Sequence, residues 1–195
     1  MDGTIYQLDG DGKSFGSSSL DKNVKANAIN FFANQEQITT EQATELYDNL
    51  VKSKIWPSVY AAEKYSISRT DFFNIVWDIN PNSIVINYED AVKVIKELSQ
   101  NGVELILLTQ APKIWQNKVF IMLGINDLFS EIYTAENYIH KPEIYSEIKS
   151  KRDPQTILAI GDQLETDIVP AIEQGFHTFH VTSPNDLLQL IQDEQ

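Results

Sequence analysis

Asp2-Gly3-Thr4 and the run Gly161-Asp162-Gln163-Leu164-Glu165-Thr166-Asp167 hold the residue types that handle phosphate. Carboxylates bind hard divalent cations through oxygen and can carry a proton in acid–base steps. The two segments lie at opposite ends of the chain. They can meet only if strands bring their ends together on one edge of a sheet, the edge where α/β folds place ligands. Ile157–Gly161 reads as a buried strand, which puts Asp162 just past its C-terminal end and Asp167 in the first turn of the next helix. One direct and one water-mediated carboxylate would make half of a Mg²⁺ site. The helix macrodipole alone also favours acids at such places, so these residues by themselves leave both readings open.

Thr109 closes the strand-like run VELILLT as Asp162 closes its own, offering a hydroxyl and backbone N–H groups to an oxyanion. Lys141 precedes Pro142 at a helix start, from where its ammonium could reach the same crevice. A threonine ending a strand and a solvated lysine are both ordinary, so neither decides anything alone.

The elements that must position these residues follow from periodicity. Tyr88–Gln100 carries a helical apolar stripe at Ala91, Val92, Val94, Ile95 and Leu98, stopped by Asn101-Gly102. Strands are expected at Val103–Leu108, Glu131–Tyr133, Thr156–Ile160 and Phe176–Val181. Helices alternate with them at Pro112–Leu123, Pro142–Ser150, Glu165–Gln174 and Pro184–Gln192. This is the βαβα order of a Rossmann-like parallel sheet with flanking helices.

Residues 17–80 read differently, as helices with no convincing strand between them. Leu20–Ala33 and Thr40–Val51 are the first two, with Thr39 and Gln42 spaced for a capping box. Pro57 suits the first turn of a third, and Ser68 with Asp71 could cap a fourth. The expected organisation is an α/β core of residues 1–16 and 81–195 with an inserted helical cap of residues 17–80. Trp56, Tyr60, Tyr65 and Trp77 either line a pocket or pack the cap's own core, and aromatics at helical spacing more often pack.

At 195 residues and 42% hydrophobic content the chain can bury one sizeable core with a smaller insert. Its formal net charge of −13, from 28 acidic against 15 basic residues, repels nucleic acid and anionic membranes. A phosphate substrate would therefore need local attraction from a cation, a lysine or helix N-termini. Without cysteine there is no disulfide, thiolate metal site or thiol nucleophile. The start lacks a basic, apolar leader, and the apolar run at Val103–Leu108 is broken by Glu104, so a cytoplasmic protein is expected. Oligomeric state is left open.

Taken in order, Asp-Gly-Thr, a helical insert, a strand-terminal Thr, Lys-Pro and GDxxxTD resemble the haloacid dehalogenase superfamily over almost the whole chain. The family's motifs are Asp-x-Asp-Gly-Thr ending strand one, Thr or Ser ending strand two, a Lys, and paired acids after strand four. The resemblance implies a Mg²⁺-dependent phosphatase acting on a small phosphorylated metabolite through an aspartyl-phosphate. Asp2 would be the general acid and base and would also bind the metal through its carbonyl. Thr109 and Lys141 would hold the phosphoryl group, with Thr4 and Gln110 beside the substrate. Asp162 would bind Mg²⁺ directly, with Asp167 supporting the metal or Lys141. The insert and the run LGINDLFSEIYTAE are similar to pyrimidine 5'-nucleotidase-like and phosphoglycolate phosphatase-like members, whose helical cap follows the first motif.

The family's nucleophile is the aspartate two positions before the acid–base aspartate, which here would fall one residue before Met1. Uncatalysed phosphate monoester hydrolysis is slow enough that enzymes accelerate it by up to about 10²¹-fold, so a chain lacking that carboxylate is expected to be nearly inert. Strand one of the family would be absent too, leaving a slot nearly 10 Å wide between the strands of Thr109 and Asp162, given strands about 4.8 Å apart. The expectation is a natural protein that begins upstream. In a second register Ile5–Leu8 is strand one and Asp9-Gly10-Asp11-Gly12 the first motif, with Asp9 as nucleophile. Lys13 in place of threonine, Gln7 within a buried strand and the hairpin-like Asp-Gly pairs argue against it. The rival from another class is a non-catalytic protein that binds phosphate or metal in the same crevice.

Overall fold

The computed structural model describes residues 1–10 and 15–192. The chain opens with a tight turn and a short strand, β1 (Gln7–Leu8), and then enters four helices. These are α1 (Ser19–Glu36), α2 (Thr40–Lys52), α3 (Pro57–Tyr65) and α4 (Arg69–Val76). Each begins where the sequence supplies a cap or a proline. Ser18 Oγ accepts from Asp21 N at 3.1 Å, and Thr39 and Gln42 exchange both bonds of a capping box. Pro57 takes the first turn of α3, where its missing N–H is not needed. Ser68 Oγ accepts from Asp71 N at 3.0 Å.

The four helices bury Phe31, Phe32, Phe72 and Phe73, with Tyr60 and Tyr65 packed edge-on against them. This apolar cluster runs without interruption into the rest of the molecule, through Leu107, Trp115, Val119, Phe120 and Ile125. Arg69 of α4 also donates to the backbone oxygen of Tyr138, so helix and crevice loop are tied by polar contact as well.

After β2 (Val85–Ile86) the alternation begins: α5 (Glu89–Gln100), β3 (Ile106–Leu108), α6 (Lys113–Leu123), β4 (Glu131–Tyr133), α7 (Lys141–Lys151), β5 (Leu158–Gly161), α8 (Val169–Glu173), β6 (His177–His180) and α9 (Gln189–Gln192). β3 pairs in parallel with β4, and β5 with β6. The fold is α/β, as the periodicity predicts. The faces of the β5–β6 pair are both covered, as parallel strands require. Ala159 packs with Tyr145, Ile148 and Phe176, while Ile160 and Phe179 pack with Ala91, Val94 and Val181.

Among the described residues β3–β4 and β5–β6 are separate two-stranded ladders, and the break falls between the strands ending at Thr109 and Asp162, where a slot is expected. Side chains rather than backbone bonds join them, with Ile106 and Leu108 packed into the same cluster as Ile157 and Ala159. The second register is corrected, because β1 pairs antiparallel with β2, Gln7 opposite Ile86, and so is no central parallel strand. Asp9 follows β1, and its carboxylate accepts from Ser19 N at 2.8 Å, at the start of α1; Asp11 lies outside the described residues.

The helix expected at Glu165–Gln174 starts instead as a widened π turn over Leu164–Ile168 before α8. Pro170 cannot donate to the carbonyl four residues back, and the chain answers with longer bonds, Ile168 N to Gln163 O and Val169 N to Leu164 O. In this turn the Asp167 side chain lies against Gly161 at the end of β5. The last helix likewise opens as a 3-10 turn at Pro184–Leu188.

Candidate active site

The Asp2-Gly3-Thr4 turn docks directly on Asp162. Thr4 Oγ1 donates to Asp162 Oδ1 at 2.9 Å, joining residues 158 positions apart. Gly3 makes that approach possible. Its φ is +74°, and a Cβ there would stand 2.3 Å from Asp162 Oδ2, so both backbone and space demand glycine.

The Asp2 side chain is half-buried and is held by a chain of two donors. Trp115 Nε1 donates to the Tyr6 hydroxyl at 3.0 Å, and that hydroxyl donates in turn to Asp2 Oδ1. Tyr6 and Trp115 are fully buried. Burial raises the Asp2 pKa above the ordinary 3.8, and the negative charge of Asp162 adds to the rise; the Met1 α-ammonium opposes it most, followed by the Tyr6 bond and the Lys141 ammonium. Asp2, Asp162 and Lys141 therefore share one electrostatic field.

Lys141, in the first turn of α7, places Nζ 2.5 Å from Asp167 Oδ1, and each side chain is only 11% exposed. The other Asp167 oxygen accepts from Gln163 N at 3.2 Å, while the Tyr145 hydroxyl donates to the Asp167 backbone oxygen at 3.0 Å. Gly161 is the second glycine the site requires, since a Cβ there would meet Asp167 Cβ at 2.5 Å.

Thr109 sits, buried, at the C-terminal end of β3. Its N–H continues the ladder to Tyr133 O at 2.9 Å, and its hydroxyl oxygen accepts from Ala111 N at 3.1 Å. Among the described residues the hydroxyl hydrogen has no acceptor. No hydrogen bond among the described residues joins Thr109 to Asp2 or Lys141, and the exposed Gln110 beside it lines a cavity under the helical segment instead. Trp56 and Trp77 line that cavity of about 170 Å³, whereas Tyr60 and Tyr65 pack into the helical core. The four aromatics thus divide between the two roles the sequence left open.

Among the described residues no three His, Asp or Glu side chains converge on one point. The expected trio Asp2, Asp162 and Asp167 falls into two groups: Asp162 accepts from Thr4 and its charge reaches Asp2, while Asp167 pairs with Lys141. Residues that motif reading missed complete the site. Tyr6 and Trp115 hold Asp2, Tyr145 holds the Asp167 backbone, and His180 Nε2 lies 3.0 Å from the Asp162 backbone oxygen. Position relative to a motif could have pointed to Tyr6, four residues after Asp2; nothing local marks Trp115.

A model of the haloacid dehalogenase-like hydrolases matches residues 1–175. The chain belongs to that family. Within it, this haloacid dehalogenase-like hydrolase is similar to the glyceraldehyde 3-phosphate phosphatase of Methanocaldococcus jannaschii, 28% identical over 99 residues. The match spans 48% of this chain and 43% of that protein, under half the length of each. Among solved structures, the hydrolase shares its fold with a phosphatase of the family from Thermococcus onnurineus, with a TM-score of 0.65 at 15% identity over 98% of this chain and 95% of that one. A haloacid dehalogenase-like family hydrolase from Xanthomonas campestris aligns at a TM-score of 0.50 and 17% identity, covering 90% and 85%. Among the described residues no helix is long and apolar enough to cross a membrane.

Proposed function

We propose that this hydrolase is a Mg²⁺-dependent phosphatase acting on a small phosphorylated metabolite, with residues 17–80 as a helical cap that covers the site and selects the substrate. The observation that carries this reading is the seating of Asp2-Gly3-Thr4 on Asp162 beside the buried pair of Lys141 and Asp167. The similarity to a glyceraldehyde 3-phosphate phosphatase supports phosphoryl chemistry.

The donor set suits a hard cation. Asp2 and Asp162 offer oxygen donors; burial raises the Asp2 pKa and the like charge of Asp162 adds to the rise, a repulsion that a divalent ion nearby would relieve. Mg²⁺ held by the Asp2 backbone carbonyl and the Asp162 carboxylate would supply charge neutralisation at the phosphoryl oxygens. The remaining work falls to side chains. Lys141, oriented by Asp167, would place its ammonium on the phosphoryl group, and Thr109 would donate its free hydroxyl hydrogen to the same oxygens. Asp2, kept protonated more readily by burial, would give its proton to the leaving alcohol and later take one from water.

The attacking group of the covalent route is a carboxylate, and Asp9 does not serve, since it is engaged at the start of α1. That observation favours a second reading, a protein that binds phosphate and metal without turnover. Phosphate release from a panel of phosphomonoesters, assayed with Mg²⁺ and with chelator on protein expressed from its own gene, separates the two. Chelator-sensitive release supports the phosphatase. Saturable Mg²⁺ binding with no release from any ester would leave the binding protein.

A further inference from the structure

The cavity under the helical segment differs chemically from a site built for a small polyhydroxylated substrate. Its walls are the rings of Phe15, Tyr47, Trp56, Phe72, Trp77 and Tyr138, with Phe15 and Trp77 stacked at 5.7 Å. Its volume, about 170 Å³, is close to the roughly 150 Å³ of an apolar cavity known to accept benzene. One planar six-membered ring fills such a space. Sugar-like hydroxyls entering it would face ring carbons and lose their water partners, which weakens binding by about tenfold per group.

A cation also reaches this apolar space. Arg69 is half-buried, and it is one of two arginines in a chain with 28 acids. The other, Arg152, is engaged by Glu104 and Glu131, yet no carboxylate lies within ion-pair distance of Arg69 among the described residues. Its bonds are to neutral oxygens, Nε to Ser58 Oγ and Nη1 to Tyr138 O, both at 3.3 Å, and its plane lies 5.4 Å from the Phe73 ring centre. Five N–H donors on a planar fork leave capacity for an anion. Glu136 contributes only a distant field.

The cavity is joined to the phosphate end. Gln110, directly after Thr109, is in its wall, and Tyr138, three residues before Lys141, has a buried hydroxyl with no partner that lies in the field of Asp167.

We infer that this cavity holds the organic half of the substrate, and that this half is a single planar ring bearing a carboxylate that pairs with Arg69. The inference rests on the phosphatase reading and narrows it to ring-bearing acid esters. It sets the substrate apart from the triose phosphate of the archaeal relative.

Turnover of 4-carboxyphenyl phosphate, phenyl phosphate and glyceraldehyde 3-phosphate, compared as kcat/KM, tests it. The expected order is that sequence, with the first at least about tenfold above the second. Arg69→Met should erase the ratio between the first and the second, bringing 4-carboxyphenyl phosphate down to phenyl phosphate measured in the same variant. The exposed Trp56→Leu, which leaves the fold's interior intact, should weaken both aryl esters and spare the triose phosphate. A preference for glyceraldehyde 3-phosphate, or an equal loss on all three esters in Arg69→Met, overturns the assignment. Should no ester be hydrolysed, the phosphatase reading is what fails, and calorimetry with 4-hydroxybenzoate decides the cavity separately. Binding at one site that is lost in Arg69→Met sustains the cavity's chemistry, and no binding removes it.

Discussion

Lys141 Nζ stands 2.5 Å from Asp167 Oδ1 in a pocket that leaves each side chain 11% exposed. A pair so enclosed has lost most of its hydration, and mutual attraction repays that loss only while both partners are present. Lys141→Ala should therefore destabilise the protein by about 3 kcal/mol, because Asp167 is left charged and buried. The double variant Lys141→Met with Asp167→Asn should recover a large part of the loss. Urea denaturation of the two variants and wild type checks this, and phosphate release should be lost in both variants.

Gly3 and Gly161 each occupy space that a side chain would take from a carboxylate. Gly3→Ala should cost about 1–3 kcal/mol, from the left-handed backbone and from displacement of Asp162. It should also weaken Mg²⁺ binding, measured by calorimetry, more than Gly102→Ala, a left-handed glycine with open space around it.

Tyr6 links Trp115 to Asp2 inside a dry core. Tyr6→Phe keeps the ring but leaves the indole N–H without an acceptor, so thermal or urea unfolding should show a loss of about 1–3 kcal/mol. Trp115→Phe should lose less from hydrogen bonding and more from packing.

Away from the site, the Tyr133 hydroxyl at 2.5 Å, aided by Arg152 and Lys151, holds the Glu131 carboxyl down at about 2 from the ordinary 4.5. A depressed acid stabilises the fold above its unfolded value, and that contribution disappears as pH falls from 4.5 towards 2. Glu131→Gln should accordingly lower Tm modestly at pH 7, by the small amount expected of an exposed network, and the difference from wild type should close over that acid window. Melts at several pH values check it.

How far the sequence revealed this molecule depends on the range of each cause. Helix starts are local: Ser18, Thr39, Pro57 and Ser68 all sit where residue type alone places a cap or first turn. The meeting of the Asp2-Gly3-Thr4 turn with Asp162 is legible only through the order of several motifs, and the bond from Thr4 to Asp162, 158 positions away, is not legible at all. The donor chain from Trp115 was not legible, because an indole reads simply as core until its N–H is seen to face Tyr6. Strand ends were overdrawn at Val103–Leu105, where apolar composition suggests pairing but β3 begins only at Ile106. The separation of the parallel ladders matches the slot expected between the strands of Thr109 and Asp162; the side chains that bridge it are a tertiary outcome that no local pattern shows.

On the proposed reading Asp162, under the Asp2-Gly3-Thr4 turn, forms with Asp2 the metal end of a phosphate site. Phosphate release is to be followed against Mg²⁺ concentration on wild type and Asp162→Asn expressed from the natural gene. Saturable activation by Mg²⁺ is expected in wild type, with a loss of at least about a hundredfold in the variant, the scale of removing one electrostatic contributor to the transition state. Release that is indifferent to Mg²⁺, or that survives in Asp162→Asn, would contradict it.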